Sequence, residues 1–346
     1  MGYPPISLAH LRSLTDSTGI VQHAHHSVPN RRLGYTTDDN ARALIVAARQ
    51  YKRTGDRDDL NLAIKYLSFL HYAHTPEHRF RNVMNYRRDF LDEHGTEDCF
   101  GRAIWACGVV SSSSLPENVR IVAWKLFNES IAWVAELEAP RAKAYCMLGI
   151  YEYLQANEDE NGLREKMIVL ADSLVRGLNE YGGRDWGWYE PYLTYGNAIL
   201  PQGMLVAAEL TGRKAHKEAC RRTMDFLTEA LIVDGRLEVV GNDGWYMRGG
   251  DRAWYDQQSV DAGYTVCLYA DAYRLSGDQT FRDLAEVAYS WFLGTNRQGL
   301  SVYDPTMNAC YDAIAPWGLN LNQGAESCVC FLLAQMAMEE ILKSKG

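Results

Sequence analysis

Acidic side chains recur at five places along the chain, and aromatic side chains lie next to most of them. The five segments are GYTTDDNARA (34–43), HGTEDCFGRA (94–103), GGRDWGWYEPYLTYGNAILPQG (182–203), NDGWYMRGGDRAWYDQQSVDAGY (242–264) and YDAIAPWGLNLNQGAES (311–327). Two carboxylates whose pKa values differ can act as acid and base in one reaction, as in the cleavage of a glycosidic bond. Aromatic rings offer large contact surfaces with few torsion angles to freeze, which suits the apolar face of a sugar. These segments are therefore the first candidates for a reactive site.

The segments supply three candidate catalytic carboxylates and a larger set of candidate binding groups. We predict Asp39 and Asp256 as acid and base, with Glu190 as the substitute for either. The predicted substrate-binding residues are Asp38, Arg102, Asp185, Trp186, Trp188, Tyr189, Trp254, Tyr255, Gln257, Asn322, Gln323 and Glu326. Several of these acids also stand where a helix would begin, so helix capping and compensation of the helix dipole are alternative roles for them.

Helical spacing of apolar residues runs through almost the whole chain, whereas strand-like alternation is rare. The pattern predicts twelve helices, at about 5–14, 38–53, 57–73, 96–110, 116–137, 140–156, 161–181, 197–211, 213–231, 257–276, 278–294 and 324–344. Short glycine turns such as TGDR and SGDQ alternate with long connections that are rich in Trp, Tyr, Asp and Gly. Connections of that length in a compact domain are usually functional.

The alternation of short and long connections pairs the helices into six hairpins. A hairpin repeat buries its apolar face only against its neighbours, and six hairpins can close into a ring. We therefore predict an all-α (α/α)6 toroid that forms a single domain over residues 1–346, with an open helical solenoid as the alternative. In the toroid the even-numbered helices form the inner wall. Their amino-terminal ends attract anionic groups and open at one end of the ring, together with the acidic segments.

Composition and charge exclude several classes of protein. Hydrophobic residues make up 47% of the chain and charged residues 23%, which is typical of a globular protein. The net charge of −9 argues against a nucleic-acid partner, and no apolar run is long enough for a signal peptide or a membrane span. The eight cysteines contain no repeated CxxC pair, which indicates buried thiols in a cytoplasmic protein. We expect no metal and, without a GxGxxG or P-loop motif, no cofactor.

Three functional interpretations fit these residues. The preferred one is a glycoside hydrolase that acts on an oligosaccharide in a pocket at the amino-terminal ends of the inner helices. The second is a sugar epimerase or lyase on the same fold, in which His or Tyr would transfer protons. A candidate histidine cluster, His23, His25 and His26, precedes the first acidic segment. The third is a carbohydrate-binding module without catalytic activity that assists a glycosyltransferase.

Five motifs together resemble a poorly characterised bacterial family of six-hairpin-glycosidase-like proteins, and they are TDDNARA, EDCFGRA, WYEPYLTYGNAILPQ, DQQSVDAG and LNQGAES. The resemblance extends from about residue 10 to about residue 340. Members of the family occur alone or fused behind group-1 glycosyltransferase domains, and they are often labelled glycosyltransferase or mannosyltransferase. The resemblance implies an (α/α)6 fold and a role in carbohydrate metabolism, with mannosides as a candidate substrate. We expect a glycosyltransferase or a sugar phosphorylase as functional partner.

Overall fold

Twelve α-helices account for most of residues 3–159 and 162–343, the part of the chain that the computed structural model describes. In chain order they are α1 (Ala9–Leu14), α2 (Thr37–Thr54), α3 (Arg57–Ala73), α4 (Glu97–Ser111), α5 (Glu117–Ser130), α6 (Pro140–Tyr153), α7 (Leu163–Tyr181), α8 (Ile199–Thr211), α9 (Lys214–Leu231), α10 (Ser259–Ser276), α11 (Gln279–Ser290) and α12 (Ala325–Lys343). Each corresponds to one predicted helix, so the predicted set of twelve is confirmed.

The predicted boundaries differ from the observed ones at several helix ends. The helix predicted over 116–137 is divided, because α5 passes at Ser130 into a 3-10 helix at Ile131–Glu136. A second 3-10 helix lies at Arg31–Leu33. The predicted start of α7 at residue 161 and the predicted end of α12 at residue 344 lie outside the described residues. Ends are the least certain part of a helix prediction, since the last turn often changes to 3-10 geometry.

The six even-numbered helices form a closed inner wall. α2 packs on α4, α4 on α6, α6 on α8, α8 on α10 and α10 on α12, which returns to α2. The odd-numbered helices lie outside them, with α3, α5, α7, α9 and α11 each packed on the inner helix that precedes it and α1 packed on α12. The contact between α12 and α2 closes the ring. The predicted (α/α)6 toroid is therefore confirmed, and the open solenoid is wrong.

Burial follows this division into inner and outer helices. The inner helix α4 buries every residue from Asp98 to Ser111, because neighbours surround it on all sides. The outer helix α5 buries only Val119, Ala123, Leu126, Phe127 and Ser130, which recur at the three- to four-residue spacing of one helix face. The inner helices consequently carry few charged residues, and those they carry face the openings of the ring or a buried partner.

Short antiparallel strands, which the sequence analysis did not predict, fix the long connections. They are β1 (Ala24–His25), β2 (Val28–Pro29), β3 (Tyr35–Thr36), β4 (Val83–Met84), β5 (Tyr192–Leu193), β6 (Ile232–Val233), β7 (Arg236–Leu237), β8 (Tyr246–Met247), β9 (Gln257–Gln258), β10 (Tyr303–Asp304), β11 (Ala309–Cys310), β12 (Ala313–Ala315) and β13 (Gly318–Asn320). Three pairings join different connections, namely β3 with β4, β5 with β8 and β9 with β12. Neighbouring connections are thereby held against one another at the end of the ring where the inner helices begin.

All eight cysteines are buried and free, which confirms the prediction of buried thiols. Seven lie in helices, and Cys310 lies in β11. Burial raises the pKa of the Cys107 thiol to about 12, so this group stays protonated near neutral pH. Among the described residues, no helix is both long enough and apolar enough to span a membrane.

Glycines allow α4 and α6 to approach each other closely. A Cβ atom at Gly108 would lie 2.1 Å from the carbonyl oxygen of Gly149, and one at Gly101 would lie 2.8 Å from that of Ala142. Both obstacles are backbone atoms, so the two helices would have to move apart to admit a side chain. In a close-packed interior such a movement disturbs the neighbouring helices as well.

We predict that Gly108→Ala destabilises the protein by about 1–3 kcal/mol, the usual cost of overpacking a core. The loss is expected although alanine is the better helix former. Urea denaturation gives the free energy of unfolding. Gly250→Ala is the control, because a Cβ atom there would meet the carbonyl oxygen of Met247 at an ordinary 3.4 Å. Equal stability of the two variants would contradict the close approach of the helices.

Candidate active site

A cavity of about 350 Å³ opens at the end of the ring where the inner helices begin. Five carboxylates line it, and they belong to Asp38, Asp39, Asp256, Asp312 and Glu326. These residues come from the start of α2, from the residues just before β9 and β12, and from the start of α12. Arg42, Arg102 and His23 line the same cavity. The ring therefore gathers acidic side chains that lie far apart in the sequence. Five predicted site residues line this cavity, and they are Asp38, Asp39, Arg102, Asp256 and Glu326.

Asp39, one of the two predicted catalytic acids, lies deep in the cavity wall. Its side chain is only 5% exposed, and its Oδ1 is 2.7 Å from the guanidinium group of Arg42. Its other oxygen, Oδ2, accepts a hydrogen bond of 2.7 Å from the hydroxyl group of Thr36. Arg42 also donates to Glu326 at 2.9 Å. Both oxygens of Asp39 are thus engaged by the protein, which suits a positioning role.

Asp38 is the more accessible member of the adjacent pair, with a side chain that is 19% exposed. Its Oδ1 accepts a bond of 2.8 Å from Arg102, and its Oδ2 accepts one of 2.9 Å from the Asn82 amide. Burial alone would raise the pKa of Asp38, but the guanidinium groups of Arg102 and Arg42 outweigh that effect and lower it. Asp38 therefore stays ionised near neutral pH.

Asp312, which the sequence analysis missed, has the opposite electrostatic environment. Burial raises the pKa of its carboxyl group above the ordinary value, against the effect of hydrogen bonds from the Ser327 hydroxyl and the Gly324 amide. Both bonds fall on Oδ1. The basic group that acts on Asp312 is His23 rather than an arginine. Since Asp312 keeps its proton to higher pH than Asp38 does, the cavity offers one acid and one base.

Asp256, the other predicted catalytic acid, lines the cavity at a sharp bend of the chain. Its φ of +55° is uncommon for a residue other than glycine, and its backbone carbonyl accepts a bond of 3.0 Å from Asn242. Helix α10 begins only at Ser259, and Gln258 occupies the capping position. The alternative role of Asp256 as the cap of α10 is therefore wrong. Backbone conformations of this kind cluster at functional sites.

A strand pairing explains why Asp312 reaches this cavity. In β9 and β12, Gln257 lies opposite Ile314 and Gln258 opposite Ala313. The pairing carries Asp312 to the connection that contains Asp256. The signal in the sequence was an acid before the short apolar run Ala313–Ala315, which reads as a strand only once its partner is known. The lining also includes the polar residues Gln22, Asn82, Gln258 and Asn320.

The structure does not bring Glu190 together with Asp39 and Asp256. Glu190 lies on the connection before α8, where its carboxylate forms a buried ion pair of 2.9 Å with Arg141. Its backbone carbonyl accepts a bond of 2.7 Å from the indole of Trp186. It borders a different cavity of about 320 Å³ at the same end of the ring.

Three aromatic rings predicted to form sugar platforms are packed inside the protein. Trp186, Trp188 and Tyr189 are all buried, and Phe226 on α9 covers both tryptophan rings. The two tryptophan rings contact Phe226 because α9 lies directly against this connection. Asp185, from the same segment, is exposed at the surface.

Three predicted polar binding residues hold connections together. Gln257 is fully buried and donates to Glu238 at 2.7 Å. Gln323 donates to Asp304 at 2.8 Å. The side-chain oxygen of Asn322 accepts a backbone N–H at 2.9 Å. Each of these side chains has a partner in the protein, and none of the three is among the residues that line the cavity.

Trp254 and Tyr255, predicted as platforms, lie next to Asp256 on the connection before α10. The Trp254 ring is partly exposed and contacts two guanidinium groups, with Arg297 at 4.1 Å and Arg252 at 4.7 Å from its centre. Such cation–π contacts stabilise a ring in one orientation. The tryptophan is therefore fixed at the surface beside the segment that carries Asp256, although it does not line the cavity itself.

A larger cavity, of about 780 Å³, lies among the carboxyl-terminal ends of the inner helices. Trp105 lines it and stacks on Tyr145, whose ring lies 4.7 Å below the guanidinium group of Arg102 in the first cavity. Aromatic packing thus separates the two openings. The charges in the larger cavity are balanced by ion pairs such as Arg49 with Glu152. The acid and base described above therefore make the amino-terminal cavity the candidate active site.

One group among the described residues could hold a metal ion, and it lies outside both cavities. The ligand atoms of His74, His78 and Glu129 are within 4.8 Å of one another. Their neighbours include the Ser130 hydroxyl, which is 3.1 Å from the His74 imidazole. The group lies between the end of α3 and the end of α5, away from the carboxylates of the candidate active site.

Asp261, in the first turn of α10, is a buried carboxyl group with a strongly shifted pKa. Burial raises its pKa to about 7, although its Oδ1 accepts a bond of 3.4 Å from the backbone of Asn197. The folded protein therefore binds this proton more tightly than the unfolded chain does. Consequently the ionisation of Asp261 lowers the free energy of unfolding as the pH rises from about 4 to about 7.

We predict that Asp261→Asn, which cannot ionise, gains thermal stability relative to the wild type between pH 5 and pH 8. The reason is that only the wild type must bury a carboxylate at the higher pH. The measurement is Tm as a function of pH. Asp225→Asn, at a side chain that is 66% exposed, is the control and should not show this trend. A constant difference in Tm between Asp261→Asn and the wild type would contradict the shifted pKa.

No family model and no curated protein sequence matches the chain. A sugar epimerase from a ruminal bacterium superposes with a TM-score of 0.73 at 12% identity, over 98% of this chain and 97% of that one. A D-mannose isomerase gives a TM-score of 0.75 at 11% identity, over 97% and 95%. The GH76A alpha-1,6-mannanase from Salegentibacter sp. HEL1_6 gives 0.64 at 12% identity, over 96% of both chains. These likenesses show that the chain has the (α/α)6 toroid fold.

Proposed function

We propose that the protein is a glycoside hydrolase that acts on an oligosaccharide, and that the amino-terminal cavity is its active site. One observation carries the proposal: Asp38 and Asp312 line the same cavity, and their pKa values are shifted in opposite directions. Cleavage of a glycosidic bond requires such a pair, in which one carboxyl group is protonated and the other is ionised.

The environments of the two residues assign their roles. Asp312 donates its proton to the oxygen of the leaving sugar, and Asp38 either attacks the anomeric carbon or activates a water molecule. Arg102 keeps Asp38 ionised, while Asp39 fixes Arg42 beside it. Asp256 lines the same cavity and is the second candidate for the base. The sequence analysis predicted Asp39 and Asp256 as the acid and the base. The candidates are now Asp38, Asp39, Asp256 and Asp312, and single substitutions can distinguish their roles.

The fold supports a reaction on a sugar in general, and hydrolysis and epimerisation are both compatible with it. A mannanase on this fold supports hydrolysis, and it agrees with the mannoside substrate that the family resemblance implies. The arginine-paired carboxylates and the neighbouring amides suit the hydroxyl groups of a sugar. A glycosyltransferase or a sugar phosphorylase as functional partner stays a prediction.

We predict that Asp38→Asn and Asp312→Asn each slow hydrolysis of an oligosaccharide by about 10²–10⁴-fold, the usual contribution of an acid or base. The two variants should differ on dinitrophenyl glycosides, whose leaving group needs no proton. There Asp312→Asn retains most of its activity and Asp38→Asn does not. A panel of α- and β-mannosides and glucosides provides the assay.

In the wild type, activity falls at low pH as Asp38 takes up a proton and at high pH as Asp312 loses one.

The exposed residue Asp225 provides the matched control, since Asp225→Asn should retain wild-type rates and both pH limbs. If Asp39→Asn and Asp256→Asn abolish activity while Asp38→Asn and Asp312→Asn do not, the first assignment is restored. If the wild type binds sugars and releases no product from any of the panel, the hydrolase proposal fails. That outcome would support the binding module without catalytic activity.

A sugar epimerase is the second candidate function, because His23 lines the same cavity and acts electrostatically on Asp312. An imidazole can remove and return a proton on carbon. The epimerase and the isomerase of the same fold support this alternative as strongly as the mannanase supports hydrolysis.

We predict that the wild type incorporates no deuterium into mannose, glucose or their disaccharides in D2O, as followed by proton NMR. A hydrolase breaks a C–O bond and leaves the C–H bonds of the sugar intact, whereas proton transfer at carbon exchanges them with solvent. Deuterium at the carbon next to the carbonyl group, abolished by His23→Ala, would favour the epimerase. Sugar release without deuterium, from the same samples, would favour the hydrolase.

A further inference from the structure

A second cavity lies beside the candidate active site at the same end of the ring. Its volume is about 320 Å³, and its lining includes Asp98, Arg141, Glu190, Tyr195 and Trp245. We propose that it is a further sugar-binding subsite, so that the substrate is a neutral oligosaccharide long enough to fill both cavities. The inference rests on the proposed function, because it extends the same substrate beyond the bond that is cleaved.

The two cavities share a wall. Arg102 lines the first cavity and lies 2.8 Å from Asp38 and 3.7 Å from Asp98, which lines the second. On the far side, Asp98 accepts a hydrogen bond of 2.9 Å from the hydroxyl group of Tyr195. The ion pair of Arg102 with Asp98 thus links the linings of the two cavities. We infer that a sugar chain bound in the first cavity continues into the second.

The second cavity has the exposed aromatic rings that the first one lacks. Trp245 is 40% exposed and Tyr195 is 39% exposed, in contrast to the buried Trp186, Trp188 and Tyr189. Large partly exposed rings offer flat contact area to a ligand at a low cost in conformational entropy. The exposure of both rings is the observation that distinguishes this cavity from core packing.

Both rings are held in place before any ligand binds. The guanidinium group of Arg141 lies 4.8 Å from the centre of the Tyr195 ring. The indole N–H of Trp245 donates to Asn242 at 3.0 Å, and the backbone of Trp245 has a φ of +59°. The pairing of β5 with β8 ties the connection of Trp245 to that of Tyr195. Such preorganisation raises affinity because little freedom is lost on binding.

The charges of the second cavity identify the class of ligand. Glu190 is paired with Arg141 at 2.9 Å, and Asp98 is paired with Arg102 and bonded to Tyr195. Each charged lining group thus has an opposite charge next to it. A cavity with balanced charges and polar oxygens favours hydroxyl groups over phosphate or carboxylate groups. A neutral sugar chain fits this chemistry.

The test is the dependence of affinity on chain length. The dissociation constants of manno- and gluco-oligosaccharides of two to six units are measured by calorimetry at low temperature. We expect the wild type to bind longer chains more tightly. In Trp245→Ala the ratio of disaccharide Kd to hexasaccharide Kd should fall by up to about tenfold. The reason is that aromatic contacts contribute about 0.5–1.5 kcal/mol beyond the burial of surface area. Trp124→Ala is the control, because Trp124 is 38% exposed on the outer helix α5.

Each outcome separates this inference from the proposed function. Chromatography of the same samples reports any hydrolysis. Hydrolysis with no dependence of Kd on chain length would overturn the second subsite and leave the hydrolase standing. Tighter binding of long chains without product would support the subsite and contradict the hydrolase. Equal effects of Trp245→Ala and Trp124→Ala on the ratio of disaccharide Kd to hexasaccharide Kd would also overturn the second subsite. The wild-type length series keeps the test valid if Trp245→Ala does not fold.

Discussion

Two buried guanidinium groups allow acidic side chains to crowd at one end of the ring. Arg42 on α2 pairs with Asp39 and Glu326, and Arg102 on α4 pairs with Asp38. Without these arginines, carboxylates removed from water at this density would be strongly destabilising. The amino-terminal ends of the inner helices add partial positive charge at the same opening. Only a closed inner wall brings α2, α4 and α12 close enough to share these ion pairs.

The arginines also give Asp38 a different environment from that of Asp312. Asp38 is paired with Arg102, which lowers its pKa and holds it ionised in a fixed position. Asp312 is left with hydrogen bonds from Ser327 and Gly324, so burial can raise its pKa. An acid and a base thus arise from the same residue type through different surroundings. The ion pair of Arg102 with Asp98 then connects this chemistry to the second cavity.

The helices and their order in the ring were predictable from sequence, because apolar spacing and glycine turns are local signals. The acidic segments at the helix starts were predictable for the same reason, and they yielded Asp38, Asp39 and Asp256 in one cavity. Asp312 was not, since it depends on a strand pairing between distant connections. The packing of Trp188 was also not predictable, because a connection without periodicity gives no signal of which rings an outer helix will cover.

A crystal structure of Asp312→Asn with a bound manno- or gluco-oligosaccharide tests the central claim most directly. The substitution removes the acid and nearly preserves the shape of the side chain, so an intact sugar chain can accumulate. The account predicts sugar density in the amino-terminal cavity, with the glycosidic oxygen within hydrogen-bonding distance of residue 312 and the anomeric carbon facing Asp38. A sugar bound instead in the cavity at the carboxyl-terminal ends of the inner helices would contradict it.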